Sequence, residues 1–200
     1  DLVRSRGLGD VYKRQSNAKI GEAKKRGLKI IVGGPGAWQF RYRPKFVEEY
    51  GIDCIIEGEA EKVVGKIFRA ILNGEELPRY YEVGVKEAPS LEEIPDIAGP
   101  SINGLIEIGR GCCRGCEFCS VMLRPLRWYP YEKIMREIDV NIRMGQIIWS
   151  CLHAEDVMLY GSKNTLPDDE KLVRLHELVV KKCEGVSWSH SSLAAIASKP

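Results

Sequence analysis

The feature that most constrains this chain is the order in which short apolar runs and amphipathic stretches alternate along it. "SNAKIGEAKKRG" has the composition of a helix that stops at Gly27, and the branched run "LKIIV" follows at once and breaks at "GGPG". "PKFVEEYG" reads as a short helix and "IDCIIE" as a second apolar strand, closing on "GEAE". Ala60, Val63, Val64, Ile67 and Ile71 then recur at helical spacing, with Asn73 and Gly74 as a stop. Strands that are apolar throughout belong in a parallel sheet covered by helices on both faces, so the chain is α/β. In open sheets of this kind ligands sit beyond the carboxyl ends of the strands. Those ends are Gly33, Gly34 and Pro35 after the first strand, and Glu57, Gly58 and Glu59 after the second.

A second series follows a break. Residues 75–103 are poor in periodicity and contain Pro78, Pro89, Pro95 and Pro100, which forbid a continuous helix, so they read as a linker. "LIEIG" is then a strand. Tyr131, Ile134, Met135, Ile138 and Ile142 mark one face of a helix, and "QIIWSCLH" is the next strand. "LPDDEKLVRLHELVVKK" is the clearest helix, with acids at its start and Lys181 and Lys182 at its end, and "VSWSH" is a third strand. Trp149 and Trp188 are expected in the core, and the strands are expected to be apolar on both faces.

Between the first strand and first helix of this series lies "GRGCCRGCEFCS", with four of the chain's seven cysteines. A chain of 200 residues with 44% hydrophobic residues can bury a sizeable core without disulfides. It shows no signal peptide and no apolar run of the roughly 20 residues that span a bilayer, so the expected location is the cytoplasm, with no membrane partner. Thiols stay reduced there, and a dense cysteine cluster reads as a metal site. Cys112, Cys116 and Cys119 form C-x3-C-x2-C, a spacing at which three thiolates can hold three corners of a cubane and leave one iron open. Zinc usually takes ligands as two separated pairs, and no second pair exists. Cys113 is expected to be dispensable, while Arg110 and Arg114 should favour thiolate over thiol. Cys54, Cys151 and Cys183 read as small apolar groups. His153 and His190 end strands on the presumed active face, and His176 is expected to be solvated.

The first fifteen residues stand apart. They lack periodicity, and "DVYKRQ" back-translates to a sequence resembling a DNA-library adapter, so residues 1–15 are read as translated adapter and the natural chain is expected to start upstream of residue 16. Without them, the 30 basic and 28 acidic residues become 26 and 26, and the net charge of +2 vanishes. No electrostatic case for a nucleic-acid partner then remains.

Cys112, Cys116 and Cys119, with Phe118 directly before the last cysteine, resemble the C-x3-C-x-aromatic-C signature of radical S-adenosylmethionine enzymes. "VGGPG", "IIEGEAE" and "EEIPDIAGP" ahead of "GRGC" resemble the subgroup with an N-terminal cobalamin-binding domain. The resemblance implies a flavodoxin-like, cobalamin-type domain represented by its later part (16–74), the linker (75–103), and the first part of a partial (β/α) barrel (104–200). It implies a [4Fe-4S] cluster on Cys112, Cys116 and Cys119 that cleaves S-adenosylmethionine to a 5′-deoxyadenosyl radical. It also implies contacts to S-adenosylmethionine from Phe118, Glu155 and Asp156, and a cobalamin pocket bordered by Gly33, Gly34, Pro35, Glu57, Gly58 and Glu59. The expected reaction is cobalamin-dependent methylation of an unactivated carbon. The alternatives are a radical rearrangement or cyclisation without methyl transfer, or a non-catalytic iron-sulfur protein for electron transfer or sensing. Expected partners are a small-molecule or peptide substrate and an electron donor such as flavodoxin or ferredoxin. As a fragment of such an enzyme, the chain by itself is expected to be inactive.

Overall fold

The computed structural model describes residues 19–34, 36–119 and 124–198. Two compact units divide the chain, residues 1–89 and 90–200. In the first unit a helical segment, 19–25 (α1), precedes strand β1 (Ile31–Val32). Helices α2 (Gln39–Tyr42) and α3 (Pro44–Glu49) lead to β2 (Cys54–Glu57), and α4 (Val64–Leu72) to β3 (Tyr80–Glu82). The strands are all parallel in the order β1-β2-β3, with Ile31 opposite Cys54 and Ile55 opposite Tyr80.

Central strand β2 explains the apolar run. Cys54 and Ile56 pack with Val63, Ile67 and Val83 on one side, while Ile55 packs with Ala37, Val47 and Ile52 on the other. Asp53 ties the sheet to α1: its carboxylate accepts from Lys24 Nζ at 2.6 Å and from the Ile30 amide at 2.8 Å. β3 lies inside the stretch expected to be a linker. Its three residues carry too little periodicity to announce a strand, and β2 supplies the ladder that makes it one.

In the second unit, β4 (Leu105–Glu107), α5 (Tyr131–Gly145), β7 (Trp149–His153), α6 (Asp169–Val180) and β8 (Gly185–Trp188) form two successive strand–helix–strand crossovers, ending in α7 (Leu193–Ala197). The sheet β4-β7-β8 is parallel, with Ile106 opposite Leu152 and Leu152 opposite Trp188. Ile106, Ile108 and Leu152 pack with Ile134 and Ile138 of α5 and Leu175 and Val179 of α6, all essentially buried. A short antiparallel ribbon, β5 (Gly109–Arg110) with β6 (Arg127–Trp128), stands at the base of the cysteine loop.

The part of the expected linker from residue 90 onward belongs to this unit. Leu91, Ile94 and Ile97 pack on its core, and buried Lys133 of α5 donates to the Pro95 carbonyl at 3.0 Å, Asp96 at 2.9 Å and Glu137 at 2.8 Å. Asn141, also on α5, accepts from the Ser101 amide at 2.7 Å. Prolines excluded a helix here, but they did not exclude an ordered strap bound by a buried cation.

Alternation along the strands overturns the expectation of two apolar faces in this unit. Ile106 and Leu152 face the helices, so Leu105, Glu107, Trp149, Cys151 and His153 fall on the opposite face. Trp149 is accordingly 58% exposed, lying so close over Gly185 that a Cβ there would come 2.1 Å from its ring. Trp188 is 38% exposed and donates through Nε1 to His176 Nε2 at 2.6 Å. His176 is therefore not merely solvated: its Nδ1 faces the Leu172 carbonyl at 2.8 Å, and the two contacts together require the Nδ1–H tautomer. Among the described residues no helix is long and apolar enough to cross a membrane.

Candidate functional site

Strand β4 ends at Glu107, and the chain passes through Gly109 and Arg110 into the cysteine loop. Arg110 Nε reaches both oxygens of Glu107, at 2.9 and 3.0 Å, and the Tyr129 hydroxyl donates to Glu107 Oε2 at 2.7 Å. Gly111 has φ +82°, and a Cβ there would lie 2.6 Å from the Pro125 carbonyl oxygen and 2.7 Å from that of Arg124. Gly115 also has positive φ, +64°, but nothing lies within 4 Å of its Cβ position. The first glycine is required by a close approach of two strands of backbone, the second by the turn alone.

The adjacent cysteines are engaged differently. Cys112 Sγ accepts from the Arg114 amide at 3.5 Å. Cys113 Sγ donates to the Asn164 carbonyl at 3.1 Å, and burial pushes its thiol up from the ordinary range, the neighbouring Cys112 adding to the effect. The Cys119 amide donates to the Cys116 carbonyl at 3.0 Å, closing a turn across C-x2-C. Residues 120–123 lie outside the described residues. Among the described residues, no three His, Cys, Asp or Glu side chains stand gathered around one point as ion ligands. The donor set of Cys112, Cys116 and Cys119 is nevertheless chemically that of an iron-sulfur site, three soft thiols on one short loop.

Both guanidinium groups are paired with carboxylates, and the charge of Arg114 also pulls the Cys113 thiol downward against the larger effect of burial, the direction the sequence leads one to expect. Arg110 is paired with Glu107. Arg114 donates to Asp156 Oδ2 through Nη2 at 2.7 Å and Nε at 3.2 Å, and Nη2 also contacts the Ser192 hydroxyl. Asp156 is 3% exposed. Its Oδ2 accepts from Ser192 Oγ at 2.6 Å and its Oδ1 from the Ser192 amide at 3.3 Å. Both oxygens of this expected S-adenosylmethionine contact are thus engaged within the protein, while Glu155 beside it is exposed. Phe118 is 93% exposed, which rules it out as a core aromatic and leaves its ring open to a ligand.

Sequence reasoning missed the Arg114–Asp156–Ser192 group because its members are 42 and 36 positions apart. The one local signal was Ser192, whose hydroxyl caps α7 by accepting from the Ala195 amide at 3.1 Å. His153 and His190 do meet at the strand ends: their rings are 5.6 Å apart, and both Nδ1 atoms face Ser189 Oγ, at 2.8 and 3.0 Å. Cys54 and Cys183 are buried as expected, and burial raises both thiols; Cys151 is half-buried.

In the first unit, Gly33 and Gly34 follow β1, and Pro35 lies outside the described residues. Gly33 borders a cavity of about 670 Å³ with Ala37, Trp38, Phe40, Tyr42 and Phe46. Glu57 is paired with Arg41 at 2.6 Å, and Glu59 is buried. Gly58 has its own structural reason, since a Cβ there would lie 2.5 Å from the Val83 carbonyl oxygen.

No family model matches the chain. It is similar to the tRNA-2-methylthio-N(6)-dimethylallyladenosine synthases of Orientia tsutsugamushi strains Boryong and Ikeda, 25% identical to each over 178 residues. That alignment covers 87% of this chain and 38% of each relative, so the chain spans well under half the length of the proteins it matches. The similarity supports a radical S-adenosylmethionine enzyme, the class to which the cysteine signature also points; it carries nothing about cobalamin.

Proposed function

We propose that this chain carries the cluster-binding part of a radical S-adenosylmethionine enzyme of the cytoplasm, with Cys112, Cys116 and Cys119 as ligands of a [4Fe-4S] cluster. The observation that carries the reading is the C-x3-C-x2-C loop at the carboxyl end of the first strand of a parallel strand–helix series. Within that loop Cys112 accepts an N–H and Cys113 is turned to a carbonyl. When bound, the cluster would pass an electron from a flavodoxin- or ferredoxin-type donor to S-adenosylmethionine, releasing methionine and a 5′-deoxyadenosyl radical. The residues around it bind and orient. Phe118 offers an open aromatic face to the adenine, and Glu155 an exposed carboxylate at the end of β7. Asp156 holds the neighbouring loops in place through Arg114 and Ser192.

For the reaction, we propose cobalamin-dependent methylation of an unactivated carbon in a small molecule or peptide. The first unit supports this with its parallel sheet and an aromatic-lined cavity at the carboxyl end of β1, beside Gly33. The relatives favour a second reading, transfer of a methylthio group to a tRNA adenosine. The balanced charge of residues 16–200 weighs against it, because binding to nucleic acid is driven largely by basic groups.

The test is product analysis after anaerobic reconstitution and dithionite reduction of the intact parent enzyme, because this chain by itself is expected to be inactive. Production of 5′-deoxyadenosine and methionine supports the class, and cobalamin-dependent S-adenosylhomocysteine supports methylation. S-adenosylhomocysteine formed without cobalamin would reject the methyl relay. A cluster that cleaves no S-adenosylmethionine would favour the electron carrier.

A further inference from the structure

Arg114 fastens the cysteine loop to the loops that follow β7 and β8. Arg114 lies two residues after Cys112 and two before Cys116, so at no more than about 3.6 Å per residue both ligand backbones are within roughly 7 Å of its own. Its guanidinium closes on Asp156, just beyond β7, and on Ser192, at the start of α7. Three loops at the carboxyl ends of β4, β7 and β8 therefore meet at one buried ion pair. The arginine and aspartate side chains are 20% and 4% exposed. A carboxylate this deep is stable as a charge only when paired and hydrogen-bonded, so the contact is not an optional surface ion pair.

We propose that Arg114 is the positioning residue of the cysteine loop: anchored on Asp156 and Ser192, it sets where Cys112 and Cys116 stand relative to the strand ends. This rests on reading the loop as a cluster site. Removing the guanidinium frees the loop at its midpoint and leaves the Asp156 carboxylate buried without its cation. The cysteines stay chemically intact, yet they no longer share one location with the loops after β7 and β8. The consequence falls on cluster uptake and on how the cluster responds to S-adenosylmethionine.

The experiment loads the full chain anaerobically with iron and sulfide, with Arg114→Gln, Asp156→Asn and Arg114→Lys beside the native chain and Glu117→Gln as an exposed control in the same loop. Apparent iron affinity and the electron paramagnetic resonance spectrum of the reduced cluster, with and without S-adenosylmethionine, are read at a temperature where circular dichroism shows each variant folded. Arg114→Gln and Asp156→Asn are expected to lose about tenfold or more in iron affinity, the scale on which outer partners of metal ligands act. Any cluster they hold should give a changed spectrum with S-adenosylmethionine. Arg114→Lys should fall between, and Glu117→Gln should match native. If Arg114→Gln melts lower but loads iron and gives the native spectrum, the pair is only a stabilising contact and the proposal is overturned. If Arg114→Gln does not fold, Arg114→Lys decides, because an ammonium cannot span Asp156 and Ser192 as the guanidinium does; native affinity and spectrum would then overturn the proposal. A native chain that takes up no iron defeats the cluster reading itself, whereas equal loading of native and Arg114→Gln defeats only the role of Arg114.

Discussion

Gly111→Ala and Gly115→Ala make a matched pair, since both glycines are in the cysteine loop, both have positive φ, and only one is crowded. A non-glycine residue in the left-handed region costs about 1–2 kcal/mol, which both variants share. At Gly111 the new Cβ would also meet two carbonyl oxygens at 2.6 and 2.7 Å. Relieving them requires backbone to move, and overpacking of this kind adds about 1–3 kcal/mol. The loop can escape by opening at Arg124 and Pro125, so the strain appears in the metal site more than in the global melt. At about 1.4 kcal/mol per factor of ten, a total of about 2–5 kcal/mol lowers iron affinity by about 30-fold to 1,000-fold or more. Gly115→Ala should lose about 5-fold to 30-fold by the same conversion. The assay is anaerobic iron titration followed by absorbance of the iron-sulfur charge-transfer bands, with urea unfolding of the metal-free chain alongside. Equal losses for the two variants, or native affinity in Gly111→Ala, would refute the idea that the close approach to Arg124 and Pro125 shapes the site.

Cys113→Ala should keep its iron and Cys112→Ala should lose it, measured as iron per chain after desalting; the reverse result would place the loop in another register. Lys133→Met should destabilise the second unit by about 3–5 kcal/mol in urea because it strands buried Glu137, and Lys133→Met with Glu137→Leu should recover most of that loss. Hydrogen bonds from Arg136 and then Lys133 lower the Asp96 carboxyl from 3.8 to about 2. Its contribution to stability is therefore complete above pH 3.8 and disappears as the pH falls through about 2. Asp96→Asn should flatten acid unfolding in that window, and an unchanged acid limb would show that the strap 90–97 is not held by this ion pair.

The parts of the fold that were legible in the sequence are those set by local pattern. β2 announced itself because Cys54, Ile55 and Ile56 are buried on both faces, and α5 and α6 because their buried residues recur every three or four positions. The second sheet was harder to read. An apolar run such as "LIEIG" does not say that Glu107 turns away from the helices, and "WSCLH" looks like core until alternation sends Trp149 and His153 to the other side. The cysteine spacing was legible as chemistry, but the anchoring of the loop was not. Arg114 reads as a thiolate-stabilising cation in a window of twelve residues, and only the three-dimensional fold brings it to Asp156 and Ser192. β3 and the strap 90–97 were hidden for a related reason, being ordered by partners far along the chain.

The ribbon at the base of the cysteine loop has a consequence for how fast a cluster can form. Because Gly109 pairs with Trp128 and Arg110 with Arg127, the two ends of the segment 111–126 are joined before any metal arrives. A thiolate that has captured one iron then finds the next thiol of the same loop at the high effective concentration typical of short tethers, in the millimolar range. Closing a flexible loop costs entropy that grows only as the logarithm of its length, and here the folded sheet has already met most of it. Assembly is thereby turned from an encounter among separate ligands into a rearrangement within one tethered ring, whose rate should not depend on protein concentration.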